Sequence, residues 1–232
     1  MMNTTSEIKP LLGVMGGMGT QATACFYDKL HELQPVEKEQ DYLDVLICSM
    51  PSIPDRTAFI TGQSTESPLP HLLRAAKILE EAGATCIALP CATSHYFYDE
   101  LSKEINIPIL NLLEETAIYI NNRNIKNVCL LATDGTIKGK AFHRALEKFN
   151  IETTIPQPDI QSDLMEIIYD IKKGTHVPPD LLNMIAENIL KQESQAVILG
   201  CTELCIIADK NPEMINILDV LAQASLNKCA AQ

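Results

Sequence analysis

The sequence predicts an α/β fold made of two similar halves, and three observations lead there. Short apolar runs alternate with amphipathic stretches, as in chains that wrap helices around a parallel sheet. The 232 residues are 46% apolar and 21% charged, the balance of a globular protein with a sizeable core. Three landmarks also recur in the same order at nearly constant separation.

The expected strands are the apolar runs at 11–15, 45–49, 85–90, 107–110, 128–132, 196–200 and 215–218. Helical patterns lie between them. Leu72, Ala75, Ala76, Leu79 and Ala82 recur at helical spacing over 72–81, and Gly83 supplies the stop. Residues 181–190 repeat this behaviour after Pro178-Pro179. Strands separated by helices need crossover connections, so the sheets are expected to be mostly parallel, flanked by helices.

The repeat divides the chain. Met15-Gly16-Gly17-Met18-Gly19-Thr20 resembles Leu131-Ala132-Thr133-Asp134-Gly135-Thr136, an offset of 116. Leu89-Pro90-Cys91-Ala92-Thr93 resembles Leu199-Gly200-Cys201-Thr202, an offset of 110, and Ile109-Leu110-Asn111 resembles Ile217-Leu218-Asp219, an offset of 108. The reading is an N-terminal half over 1–115 and a C-terminal half over 116–210, joined around 114–127. A cleft between two such halves is a favoured seat for a small ligand.

Charge and cysteine content narrow the partners. Thirty acidic against 18 basic residues give a formal charge of −12, with no Lys/Arg cluster. Nucleic acids and anionic membranes, which need basic surfaces, are therefore not expected. No apolar run approaches the ~18 residues of a membrane span, and the first residues lack a secretory signal pattern, so a cytoplasmic protein is expected. Eight cysteines with no Cys-x-x-Cys pair read as free thiols, without a metal site.

Two of those thiols stand apart. Cys91 and Cys201 each end an expected strand and precede a helical pattern, where ligands of open α/β sheets bind. A thiol facing the first N–H groups of a helix is expected to have a lowered pKa. One thiol from each half, across a cleft, suits a reaction needing a base and an acid on opposite faces of one carbon. Cys25, Cys48, Cys86, Cys129, Cys205 and Cys229 lack such repetition and are read as core or surface. Cys201 and Cys205 share a helix face by spacing but lack two further ligands, which argues against zinc.

Gly13-Val14-Met15-Gly16-Gly17-Met18-Gly19, Pro54-Asp55-Arg56-Thr57, Pro90-Cys91-Ala92-Thr93-Ser94-His95, Leu131-Ala132-Thr133-Asp134-Gly135-Thr136 and Gly200-Cys201-Thr202-Glu203 together resemble the aspartate/glutamate racemase family, nearest its aspartate racemase branch. The match runs from about Leu11 to Leu226. The resemblance implies an amino-acid racemase that works without pyridoxal phosphate or any other cofactor, usually as a homodimer. It also implies a final helix, about 211–232, packed back on the first half.

Carried over by position, Cys91 and Cys201 are the expected catalytic thiols. Thr93 and Thr202 would help hold the α-carboxylate and amine, and Arg56 the side-chain carboxylate through its planar fork. Lys172, or its neighbour Lys173, stands where the family often has another anion-binding lysine. Met18, Gly19, Ala92, Thr133 and Glu203 complete the expected substrate site. Ala92 replaces an asparagine usual in the family, which removes a donor near the reacting carbon; Ser94 is a candidate to compensate.

Two other readings come from the same residues. One is a related cysteine-dependent isomerase or decarboxylase acting on a dicarboxylate. The other is a non-catalytic amino-acid-binding protein. Gly17-Met18-Gly19-Thr20-Gln21-Ala22 also mimics a dinucleotide fingerprint, but Asp41 and Asp44 precede the second strand instead of ending it. The glycines are read as a backbone nest for a substrate carboxylate. His95, one turn after Cys91, suits either a partner for that thiolate or a satisfied, partly buried histidine.

Overall fold

Residues 11–16, Leu-Leu-Gly-Val-Met-Gly, carry no charge and can be buried on both faces only inside a parallel sheet covered by helices. The computed structural model describes residues 9–192 and 194–231 and places this strand, β1 (Leu11–Gly16), there. It pairs in parallel with β2 (Asp44–Ser49) on one side and β3 (Cys86–Ala88) on the other. Around this sheet lie α1 (Thr20–Leu33), α2 (Arg56–Thr61), α3 (Leu69–Glu81), α4 (Tyr98–Glu104) and α5 (Leu112–Asn122).

The second sheet repeats the plan. Its central strand β4 (Asn127–Leu131) is followed by α6 (Asp134–Gly139), α7 (Ala141–Glu147), β5 (Glu152–Thr154), α8 (Pro158–Lys172) and α9 (Asp180–Leu190). Then come β6 (Ala196–Leu199), α10 (Leu204–Ile207), β7 (Met214–Asn216) and α11 (Ile217–Ala230). The strand order is β5-β4-β6-β7, with every pairing parallel.

The strand register carries the sequence repeat. Leu12 pairs with Cys86 and Val128 with Ala196, so the partners are displaced by the same 116 and 110 residues. The third landmark shifts. Ile109 bridges Ile87 in the first sheet, as Met214 pairs with Val197 in the second, an offset of 105 in place of 108. The same offset relates Asn111 and Asn216, whose side chains cap α5 and α11 by accepting two backbone N–H groups each. The sequence match of Asn111 with Asp219 therefore lies three residues beyond the structural equivalent, Asn216.

Other boundaries move for local reasons. Residues 107–110 make one bridge and no ladder, because Pro108 has no N–H to donate and Asn111 already starts a helix. Residues 217 and 218 belong to α11, which therefore begins at Ile217 and not near 211. The expected joint at 114–127 is largely α5, with only a short turn before β4. Strand β5 was not foreseen, since Glu-Thr-Thr at a sheet edge has no apolar run.

One apolar cluster spans both sheets, filled by Phe26, Leu12 and Val14 on one side and Phe142, Leu130 and Ile198 on the other. Helix α11 packs against α1, where Lys29 and Asp219 pair at 3.2 Å. Among the described residues, no helix is long and apolar enough to cross a membrane.

The asparagine caps are each worth about 1 kcal/mol. Asn111→Ala and Asn216→Ala are expected to lower the urea midpoint by comparable amounts. An unchanged midpoint in either variant would contradict the shared capping role.

Candidate functional site

Both strand ends open into turns that carry a cysteine. Beyond β3, Leu89-Pro90 leads to Cys91, which begins a 3-10 turn over Ala92–Phe97. Beyond β6, Gly200 leads to Cys201, three residues before α10. Cys201 thus precedes that helix and does not share a face of it with Cys205. A Cβ on Gly200 would stand 2.5 Å from Leu130 Cδ1 and 3.2 Å from Ala132 Cβ, so a side chain there would push on the packed sheet. Both thiols are nearly enclosed, at 6% and 5% exposure.

Their hydrogen bonds are opposite in sense. The Ser94 hydroxyl donates to Cys91 Sγ at 3.1 Å, and its oxygen lies 3.4 Å from Met18 Sδ. Cys201 Sγ donates to Glu203 Oε2 at 2.9 Å. The other oxygen of Glu203 accepts the Gly19 N–H at 3.1 Å, so one buried carboxyl ties Cys201 to the glycine loop after β1. A Cβ at residue 19 would meet that oxygen at 2.6 Å.

At Cys201 the expected helix-end lowering is reversed. The Cys91 side chain makes no capping bond to the turn that follows it. Cys201 is raised well above an ordinary thiol, first by burial and then by the adjacent Glu203 charge, with Lys172 opposing. It is therefore a neutral thiol holding its proton against Glu203.

Lys172, the last residue of α8, joins the groups electrostatically. Burial works against its charge, but the negative charges that Cys201, Glu203 and Cys91 carry when ionised outweigh that and hold its pKa above the usual lysine value, with Arg56 opposing. Its stem passes 3.9 Å from where a Cβ on Gly19 would stand. Lys173 is exposed and pairs with Asp170 at 3.1 Å.

Arg56 is buried rather than on a loop surface. Its Nη1 donates to the carbonyls of Ile53 and Pro54 at 3.0 and 2.9 Å, which fixes the guanidinium. Its Nε is buried with no hydrogen-bond partner. An orphaned charged donor is costly, and the Nε side is the edge that takes a carboxylate through two parallel bonds. Thr93, Thr133 and Thr136 form a triangle of hydroxyls at 2.9 to 3.1 Å, joining the turn after β3 to the start of α6. Gly135 permits this approach, since a Cβ there would meet Thr57 Cα at 2.7 Å. Thr202 is buried beside Glu203, its hydroxyl 3.4 Å from Oε2.

Ala92 departs from this gathering. It packs in the large apolar cluster and supplies no polar side-chain atom. His95 is the satisfied histidine of the two alternatives. Its Nε2 accepts the Leu112 N–H at 3.1 Å, so Nδ1 carries the proton and donates to the Cys91 carbonyl at 3.0 Å. Burial lowers its pKa to about 4, leaving a neutral ring that braces the Cys91 turn against α5.

Asp55 and Tyr169 were not singled out from sequence. Asp55 caps α2 through Ala58 N–H at 2.9 Å and accepts the Tyr169 hydroxyl at 3.1 Å. Burial opposes its charge, yet the Ala58 bond, Lys172 and Arg56 leave its pKa lowered. Its position just before a helix is a cap signal; Tyr169 could be found only by placing it one turn before Lys172 on α8. A cavity of about 900 Å³ lies elsewhere, between α1, α5 and α11, and neither thiol lines it. Among the described residues, no group of three or more His, Cys, Asp or Glu side chains is placed to hold a metal ion.

Two parallel sheets flanked by helices, each followed by a buried cysteine, form an architecture that comparison with known proteins finds among the amino-acid racemases. Residues 15–224 match the family described as Asp/Glu/hydantoin racemase, and the chain belongs to that family. It is 28% identical over 221 residues to the broad specificity amino-acid racemase RacX of Bacillus subtilis, covering 90% of this chain and 92% of that protein. The structure of Picrophilus torridus aspartate racemase superposes with a TM-score of 0.82 at 30% identity, covering 95% of this chain and 94% of that one. An aspartate racemase homologue from Pyrococcus horikoshii gives 0.77 at 25% identity, covering 96% and 100%. The Francisella tularensis glutamate racemase shares the fold, with a TM-score of 0.67 at 18% identity over 96% of this chain and 81% of that one.

His95 makes stability depend on pH. Between about pH 6.5 and 4 the unfolded chain binds a proton that the folded ring refuses. Its contribution is thus present above pH 6.5 and lost as pH falls toward 4, about 3 kcal/mol in all. Urea midpoints across this range should fall more steeply for wild type than for His95→Gln. Equal slopes would refute the buried neutral ring.

Proposed function

We propose that the protein racemises a small acidic amino acid, aspartate or glutamate, by proton transfer between two cysteines and without a cofactor. The observation that carries this reading is the pair Cys91 and Cys201, both buried and placed at equivalent strand ends of the two sheets. The two halves, 1–115 and 116–210, then supply one thiol each to a common cleft. On this reading the enzyme works as a cytoplasmic homodimer.

In this scheme Cys91, the sulfur that receives the Ser94 hydrogen bond, acts as a thiolate, takes the α-proton from one face of the substrate and becomes the thiol. Cys201, whose own thiol proton is hydrogen-bonded to Glu203, donates that proton to the opposite face and becomes the thiolate. For the other enantiomer the roles exchange, as reversibility requires. Negative charge grows on the substrate α-carboxylate as the proton leaves. The hydroxyls of Thr93, Thr133 and Thr202 and the Lys172 ammonium are suited to receive it, preorganised in a dry site. Met18 and the Gly19 loop close over the thiols from the first half.

The orphaned Arg56 edge supports an acidic substrate, because a side-chain carboxylate would satisfy it. Ala92 removes one polar contact near the reacting carbon and leaves more of the recognition to Arg56.

Cys91→Ser and Cys201→Ser are each expected to abolish interconversion of L- and D-aspartate or glutamate, followed by chiral chromatography. Full activity in either variant rules out the two-thiol scheme, and binding without turnover by wild type would indicate a non-catalytic binding protein. Arg56→Lys keeps the charge but loses the fork, and should raise KM for acidic substrates roughly tenfold or more. A KM unchanged for acidic substrates would remove Arg56 from substrate recognition.

A further inference from the structure

Outside the proposed site, the sulfurs of Cys86 and Cys229 lie 3.6 Å apart, the one thiol–thiol hydrogen bond among the described residues. The two cysteines are 143 positions apart in sequence and come from different parts of the fold. Cys86 opens β3 and pairs with Leu12, at 0% exposure. Cys229 lies in the last turn of α11, one residue before the helix ends, and is 6% exposed. We infer that Cys86 and Cys229 form an oxidation site, a dithiol that closes to a disulfide and fastens the final helix to the strand leading to Cys91.

The geometry favours this outcome over independent oxidation. A disulfide needs the sulfurs at about 2.05 Å, so they must approach by roughly 1.5 Å. Cys86 is locked in the sheet ladder, so the movement falls to Cys229, in a terminal helical turn where backbone bonds fray most easily. Charge also suits the reaction. The bond from Cys229 lowers the Cys86 pKa against burial, helped by the Lys228 ammonium. Cys86 is thus the sulfur more readily deprotonated, and Cys229 the one nearer solvent. The thiolate is the nucleophile in such exchange.

The oxidant is a peroxide. One thiol takes an oxygen from it as a sulfenic acid, releasing one water. The second thiol displaces that oxygen as another water, forming the S–S bond. The two cysteines lose two hydrogens and two electrons, and the peroxide O–O bond accepts them. The product would close a loop of more than 140 residues, where a cross-link restricts the unfolded chain strongly.

Neither this site nor its test depends on the proposed racemase chemistry. The intact protein is treated with a small excess of hydrogen peroxide, free thiols are capped with N-ethylmaleimide, and digests are analysed by mass spectrometry. The expected result is a linked peptide pair containing residues 86 and 229, two hydrogens lighter than the separate peptides. It should come with a Tm rise of roughly 5 °C or more that dithiothreitol reverses. Cys229→Ser and Cys229→Ala should lose both signals, whereas Cys25→Ser keeps them. Recovery of Cys86 and Cys229 as capped thiols, or as separately oxidised acids, while other cysteines react would overturn the assignment.

Discussion

The parallel pairing of β3 beside β1, repeated by β6 beside β4, is the constraint on which the rest of the site depends. In each sheet the ladder ends and the chain turns before a cysteine. Because the two ladders share one register plan, the thiols leave their sheets at equivalent points. A parallel sheet also needs helices on its faces, and these bring the remaining groups. Helix α8 ends at Lys172, α2 begins at Arg56, and α6 begins beside Thr133. Functional side chains at helix and strand ends are held by elements that cannot slide without breaking a buried ladder.

Within that frame, polar groups from both halves interlock. Glu203 reaches Gly19, and the threonine triangle joins the turn after β3 to α6. The threonine triangle is buried and the Glu203–Gly19 bond partly so, and each would cost free energy if left unmade. They explain why the thiols are enclosed and why glycine stands at 19 and 135, where a side chain would collide with the opposite half. The same enclosure raises the Cys201 thiol and lowers His95. Burial therefore sorts the titratable groups: a proton is kept on sulfur at Cys201 and kept off the ring at His95.

Much of the fold was legible in the sequence because buried parallel strands are uncharged runs and the halves repeat. The offsets of 116 and 110 reappear as strand register. What escaped were features without an apolar signal: edge strand β5, the break at Pro108, and the three-residue shift placing Asn216 opposite Asn111. At the site, the motifs singled out Cys91, Cys201, Glu203, Arg56 and Gly19, while Asp55 and Tyr169 beside Lys172 were missed. Their chemistry was less legible. A helix end beside a cysteine suggested a lowered thiol pKa, but burial and a neighbouring carboxyl reversed it at Cys201. The choice between Lys172 and Lys173 likewise needed the helix phase, which puts one against the glycine loop and the other in solvent.

Proton exchange by two separate groups on opposite faces of one carbon, as proposed, is open to deuterium labelling. L-Aspartate or L-glutamate is incubated with the enzyme in D₂O, and both enantiomers are separated early in the reaction. Deuterium is expected at the α-carbon of the D-product, while recovered L-substrate keeps its proton. Deuterium entering recovered substrate as fast as product forms, or product that retains the original proton, would contradict exchange by two groups.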